Sequence, residues 1–286
     1  MNDFTQTTGA ASHLEPGEPQ TGRSFQASSE LSVVALNTAS SGSPIFLIPG
    51  VDGKVDCFLC LAQHLRKDRP VYALRSQAFV RGARARTRVE DQAEFYIQEI
   101  RCVQPDGPYR VVGFSFGGLV ALEVAQQLHA QGQQTQLLGI VDNLPMRPSP
   151  SLPSRHRPGG AAHHLKAAVG SGGLKYLLGK VGARALRISY TILDRFRMPI
   201  PDVIKRPYDV NWFAAVRYVP TSYPGRVTLF QTCSAQEGRG ANDMWLGIAG
   251  GGIDLHEIPG THETLLVEPN VVVLAEAIED CLANLK

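Results

Sequence analysis

The chain has 286 residues, 43% of them hydrophobic and 19% charged, with a net charge of +2. That is enough chain for one large domain with a sizeable core, and no apolar run approaches the length that spans a bilayer. The charge argues neither for nor against nucleic acid, and no nucleic-acid partner is expected.

The first 30 residues are rich in Gly, Ser, Thr, Gln, Glu and Pro and poor in large apolar side chains, which reads as a disordered tail or linker. They lack the basic start and apolar stretch of a signal peptide. The five cysteines, Cys57, Cys60, Cys102, Cys233 and Cys281, are odd in number and scattered. That pattern suits a reducing compartment, so a cytoplasmic location is expected. Residues 31–286 then read as one domain. Leu31 to Leu36 reads as a strand, and Pro44 to Ile48 as a second, short and wholly apolar. Pro49-Gly50-Val51-Asp52-Gly53 ends it in a Gly-rich loop. Cys57 to Arg66 reads as a helix. Its Cys57-x-x-Cys60 has no second pair to complete a metal set and is read as packing, so no metal site is expected.

Pro70 to Leu74 is a further strand. Five arginines follow it, at 75, 81, 84, 86 and 88, with no acid among them. That run suits either a solvated loop or an anion contact. Val89 to Val103 carries Val89, Ala93, Tyr96, Ile97, Ile100 and Val103 near a 3.6-residue period. Glu90, Asp91 and Glu94 suit the positive end of that helix, and the Pro105–Pro108 stretch stops it. Tyr109 to Val112 reads as a buried strand, Leu119 to Gln131 as a helix and Gln136 to Val141 as the next strand, ending at Asp142-Asn143.

From Met146 to about Asp209 the pattern changes. Pro148, Pro150, Pro153 and Pro158 interrupt it, and an amphipathic helix follows at Leu174 to Phe196. This stretch reads as a lid inserted between two strands. The alternation resumes with strands at Arg226 to Gln231 and Ile253 to Ile258 and closes with a helix at Val271 to Leu285. Strands alternating with helices at this spacing imply an α/β fold, a mostly parallel sheet with helices on both faces.

Chemistry concentrates at Gly113-Phe114-Ser115-Phe116-Gly117-Gly118. A serine between glycines at a strand-to-helix switch is a nucleophile elbow: only glycine lacks the Cβ that would clash where the chain passes so close to itself. Such a serine needs a base, and the base an orienting acid, in the chain order Ser, Asp or Glu, His. His262 follows a strand end in the loop Pro259-Gly260-Thr261, whereas His256 lies within a strand and His129, His156, His163 and His164 come too early. Asp142, at the end of the strand after the elbow helix, is the favoured acid. Glu237, in the loop after the 226–231 strand, is the alternative. Oxyanion donors are expected from the backbone N–H groups of Phe116 and Val51.

The run IRCVQPDGPYRVVGFSFGGLVALEVAQQL, with FLIPGVDG before it and VDN and IPGTHETLL after it, resembles the thioesterase domains that end nonribosomal peptide and polyketide synthases. The resemblance covers residues 44–142 well and 226–284 moderately. It implies an α/β-hydrolase fold with the nucleophile at Ser115, the acid at Asp142, the base at His262 and oxyanion donors at Val51 and Phe116. It also implies that an acyl, peptidyl or polyketide chain passes from a partner carrier protein's phosphopantetheine to the serine. Hydrolysis or cyclisation then releases it, with no bound cofactor.

The chain departs from that family's pattern at Val51-Asp52-Gly53-Lys54, where a small residue and fewer charges are more usual, and at Glu263, where an apolar or aromatic residue is more usual. It holds no Gly-x-Asp-Ser-Leu carrier motif, so a free-standing or excised unit is expected. Arg84, Arg86, Arg184 and Arg187 are candidates for docking an acidic carrier. A carboxylesterase or lipase on the same fold, or a related binding protein without catalysis, are the alternatives.

Overall fold

The computed structural model describes residues 32–79, 86–143, 173–196, 198–232 and 245–285, and within 173–187 the side chains only of 182 and 184–186. The expected tail therefore lies outside the described residues, as do the first part of the inserted stretch and Glu237.

Among the described residues, seven strands form one sheet: β1 (Val33–Ala35), β2 (Ile45–Ile48), β3 (Val71–Leu74), β4 (Tyr109–Phe114), β5 (Thr135–Val141), β6 (Val227–Thr232) and β7 (Ile253–Ile258). Their order is β1-β3-β2-β4-β5-β6-β7. β1 runs antiparallel to β3, and every other pairing is parallel. The helices are α1 (Leu59–His64), α2 (Val89–Val103), α3 (Phe116–Ala130), α4 (Gly173–Arg195), α5 (Pro207–Ala215) and α6 (Asn270–Ala283). This is the α/β-hydrolase fold. None of the described helices is long and apolar enough to cross a membrane.

β2, β3 and β6 are buried or nearly so on both faces because both faces are covered, whereas the edge strand β7 carries Asp254, His256 and Glu257. On β2, Phe46 and Ile48 join one core with Ile97 and Ile100 of α2 and Val120 and Val124 of α3. Ile45 and Leu47, one pleat away, join the other core with Leu61 of α1 and Leu274 and Ile278 of α6. The α2 bounds agree with the periodicity of its sequence. The elbow helix starts at Phe116 rather than at Leu119. Gly117 and Gly118 are weak helix formers, and packing decides there instead of propensity.

Between β5 and β6 the described part of the insertion is α4, a connection and α5, which runs to Ala215, beyond the expected end near 209. Tyr190, Ile200, Val210 and Phe213 form a small core of their own. The Tyr190 and Phe213 rings meet edge to face at 5.5 Å. Further along, Ala214, Ala215 and Tyr218 join the core of the main sheet. Elsewhere the insertion is tied to the frame by side chains: the Thr87 hydroxyl donates to Asp194 at 2.7 Å, and Arg217 pairs with Asp194 at 3.3 Å.

Candidate active site

Ser115 follows β4 and precedes α3 with φ 52° and ψ −124°, a backbone conformation that a side chain adopts only under constraint. Close packing supplies the constraint. A Cβ on Gly113 would lie 2.1 Å from the Gly117 carbonyl oxygen, and one on Gly117 would lie 2.1 Å from the Ile48 carbonyl oxygen. Both glycines are therefore required by the approach of backbone to backbone. The Ser115 N–H donates to Val141 O at 2.9 Å, and the Ser115 carbonyl accepts from Gly118 N–H at 2.9 Å and from Asn143 Nδ2 at 2.6 Å. Asn143 is 5% exposed, and its own carbonyl accepts from the buried Trp245 Nε1 at 3.3 Å.

Asp142, also at positive φ (46°), sits at the end of β5 next to β6. Its Oδ1 accepts from the Thr232 N–H at 3.1 Å and hydroxyl at 2.9 Å. Its Oδ2 lies 2.6 Å from His262 Nδ1. A carboxylate can only accept, so Nδ1 carries the proton and Nε2 is left as the free base of the ring. Burial pushes the Asp142 carboxyl up, but the bonds from His262 and Thr232 outweigh it and its pKa falls below the ordinary value. The hydrogen bond to Asp142 raises the His262 pKa against the opposing effect of burial, and the charges of Asp142 and Glu263 add to the rise. The imidazole side chain is 45% exposed while the carboxylate is 4% exposed. The ring stacks on Phe114, the residue before Ser115, with centroids 5.0 Å apart.

The loop after β2 closes the third side. A Cβ on Gly50 would lie 3.5 Å from Ser115 Cβ, so Val51, the next residue, stands beside the elbow. Phe116 is the first residue of α3, where N–H groups have no partner within the helix. Ser115, Phe116, Val51, Asp142 and His262 thus converge at the carboxyl ends of β2, β4 and β5, where ligands bind in open α/β sheets.

Five expected residues fare differently. Glu237 and Arg84 lie outside the described residues, and so does the side chain of Arg187. Arg184 is exposed. Arg86 is half-buried: its guanidinium lies 4.6 Å over the Phe95 ring and donates to Gln77 Oε1, which is a packing role within the frame. Cys57 is a half-buried free thiol pushed up to about 12 by burial, then by the charge of Asp52, which suits inert packing. Cys60, His64 and Glu268 bring metal-ligating atoms within 4.8 Å of one another on α1 and the turn before α6. There the imidazole already shares a 2.8 Å hydrogen bond with the carboxylate. Sequence reasoning missed Asn143, Thr232 and Asn211. The first two stand next to readable strand ends, whereas Asn211, which donates to Val51 O at 3.0 Å, has no local signal.

The family model for the thioesterase domain matches residues 43–282. Among curated proteins, atromentin synthetase invA5 of Paxillus involutus is 35% identical over 150 residues, 52% of this chain. Inactive atromentin synthetase invA4 of the same fungus is 34% identical over 153 residues, also 52% of this chain. The matched parts span 14% of the length of either synthetase. Among solved structures, the NocB thioesterase domain in covalent complex with a fluorophosphonate nocardicin G analog aligns over 88% of this chain and 100% of its own. Its TM-score is 0.62 and its identity 25%.

Proposed function

The chain belongs to the thioesterase domain family, and on that premise we propose that Ser115 is the acylated nucleophile, His262 its base and Asp142 the acid that orients the base. The observation that carries this reading is the 2.6 Å bond between Asp142 and His262 Nδ1, made beside a serine held at positive φ. It leaves Nε2 as the basic atom of a ring stacked on the elbow.

In the first step the Ser115 hydroxyl oxygen attacks the thioester carbonyl carbon while Nε2 takes its proton. The carbonyl oxygen gains the negative charge, and the N–H groups of Val51 and Phe116 receive it. Collapse of the tetrahedral adduct breaks the C–S bond, and imidazolium returns the proton to the departing thiol. In the second step water, or a nucleophile within the acyl chain, loses its proton to Nε2 and attacks the ester. The serine leaves with that proton, and an acid or a ring is released. Buried Asp142 stays ionised throughout and stabilises the imidazolium.

The natural thiol is the phosphopantetheine arm of an acyl or peptidyl carrier protein. The likeness to synthetases supports this substrate class. Residues 31–286 form one catalytic unit in this reading, with 146–209 as the lid. The position of α5 against the loop of Val51 supports that assignment. Exposed Arg184 is the remaining described candidate for meeting an acidic carrier.

The test is intact-protein and peptide mass spectrometry after incubation with acyl N-acetylcysteamine thioesters and with a fluorophosphonate. One acyl or phosphonyl group on Ser115, absent from Ser115→Ala, is the expected result. Labelling that persists in the variant overturns the assignment. A p-nitrophenyl ester turned over far faster than the matching thioester would favour a carboxylesterase.

A further inference from the structure

Asn211 is a polar residue where an apolar one would pack. It lies on α5 among the buried Val210, Phe213 and Ala214 and is itself 2% exposed. Both ends of its amide are used. Nδ2 donates to Val51 O at 3.0 Å, and Oδ1 accepts from Gln92 Nε2 of α2 at 3.2 Å. Gln92, 7% exposed, also donates to the Arg86 carbonyl at 2.9 Å. A buried amide is unfavourable unless its hydrogen bonds are made; here one is made to the loop beside Ser115 and the other to α2.

The direction of the Val51 N–H depends on two peptide planes. The N–H belongs to the Gly50–Val51 plane, whose carbonyl accepts from Gly53 N–H at 2.9 Å. The Val51 carbonyl belongs to the Val51–Asp52 plane, and Asn211 holds that one. The rest of the turn is fixed from within the frame: Lys54 N–H donates to Asp52 Oδ1 at 3.2 Å, and Ser76 N–H donates to Gly53 O at 3.2 Å. Of these four restraints, the one on the Val51 carbonyl comes from the inserted region.

We infer that Asn211 is a positioning residue through which α5 sets the aim of the Val51 N–H, so that the oxyanion site is assembled only while α5 is docked. This rests on the proposed role of Val51 as a donor. It makes the insertion part of the catalytic device as well as a cover, because the same helix that carries Asn211 packs on Tyr190 of α4 through Phe213.

The experiment compares Asn211→Leu and Asn211→Asp, which remove the donated bond without or with a charge, against Val51→Pro. Val51 is the second residue of the Gly50–Gly53 turn, the position that proline favours in such turns, and the substitution removes its N–H. Steady-state turnover of an octanoyl N-acetylcysteamine thioester is measured alongside the affinity of an octyl trifluoromethyl ketone, whose serine adduct carries an oxyanion. Both Asn211 variants are expected to lower kcat about 10- to 100-fold with KM within about twofold, and to weaken the ketone by the same factor. A merely structural role would lower Tm and leave the kcat-to-ketone correspondence absent.

If Val51→Pro lowers kcat and ketone affinity but the Asn211 variants do not, the inference is overturned and the donor role of Val51 stands. If Val51→Pro changes neither, the donor role itself falls. Should the Asn211 variants not fold, Gln92→Leu carries the test, since it removes the bond on Oδ1 that orients the Asn211 amide toward the Val51 carbonyl. A fall in kcat of about two- to fivefold, matched by the ketone, is then expected, and no fall overturns the inference.

Discussion

The carboxyl edge of the sheet and the inserted region meet at the same place but are held by different means. At the edge, backbone lies against backbone: Gly117 has no room for a methyl group 2.1 Å from the Ile48 carbonyl, and Asp142 is caught between His262 and Thr232. In the insertion, α4 leaves Gly182 with nothing within 4 Å of a notional Cβ. Side-chain ties from Asp194 and Asn211 hold the region to the frame. The contrast assigns rigidity to the groups proposed to act on the carbonyl and latitude to the groups that surround them.

The largest test of that division is at the base. His262→Ala is expected to lower kcat by about 10⁶-fold, since the members of a triad act as a unit. His256→Ala, whose ring stacks on Phe230 at 5.2 Å and touches Cys281, is expected to change stability and leave turnover near normal. Steady-state kinetics with thermal melts separates the two, and a reversal would break the comparison at its base.

Next comes the acid. Asp142→Asn is expected to lower kcat by about 10⁴-fold, and Glu237→Gln to do little. The pH profile sharpens this. Nε2 must be unprotonated to act, and the His262 pKa is raised. The acid limb of kcat/KM should therefore lie above the ordinary imidazole value of about 6.5 and move down in the Asn variant. The same pair affects stability. The raised histidine contributes fully below about pH 6.5 and loses its contribution as pH rises through its folded value. The lowered aspartate contributes above about pH 3.9 and loses its contribution as pH falls through its folded value. Both contributions are present together between those limits, so Asp142→Asn should be most destabilising there, as read by melts across pH.

Smaller again is a pair of glycines. Gly117→Ala is expected to destabilise by about 3 kcal/mol or more, the upper end of what overpacking costs, and Gly182→Ala to stabilise by about 0.5–1 kcal/mol through helix propensity. Urea titration reads both, and equal effects would erase the contrast. The smallest effect is at the surface. Arg184→Glu should lower kcat/KM on a carrier-bound thioester a few-fold at low salt and leave a small soluble thioester unchanged, because exposed charge acts mainly on encounter rate.

The frame was legible because its signals are local. The α2 stripe from Val89 to Val103 follows a helical period, and the elbow announces itself in six residues. Asp142 stands just past an apolar run, and His262 follows the Pro-Gly turn after Ile253–Ile258, where apolar residues recur between polar ones; both runs read as strands. The insertion was harder. Pro207–Ala215 forms a helix whose buried residues face two cores at once, so no single stripe marks it. Asn211 looks like any surface amide until residues 160 positions away in the chain come to lie against it. The arginine run reads as one feature, yet Arg86 turns inward onto Phe95 while Arg88 pairs with Glu90 at the surface. Contacts made far along the chain decide such cases, and composition does not carry them.

The edge-to-face contact of Tyr190 on Phe213 has a consequence for rebuilding the enzyme. It marks α5 as belonging to two modules: its first turns match α4, while Ala214 and Ala215 match the sheet. A graft that exchanges residues 144–205 for those of another family member keeps Asn211 but leaves Phe213 facing a foreign helix. Such chimaeras should mature into working enzymes only where the donor segment brings a ring to that position, or where Phe213 is recut to suit it.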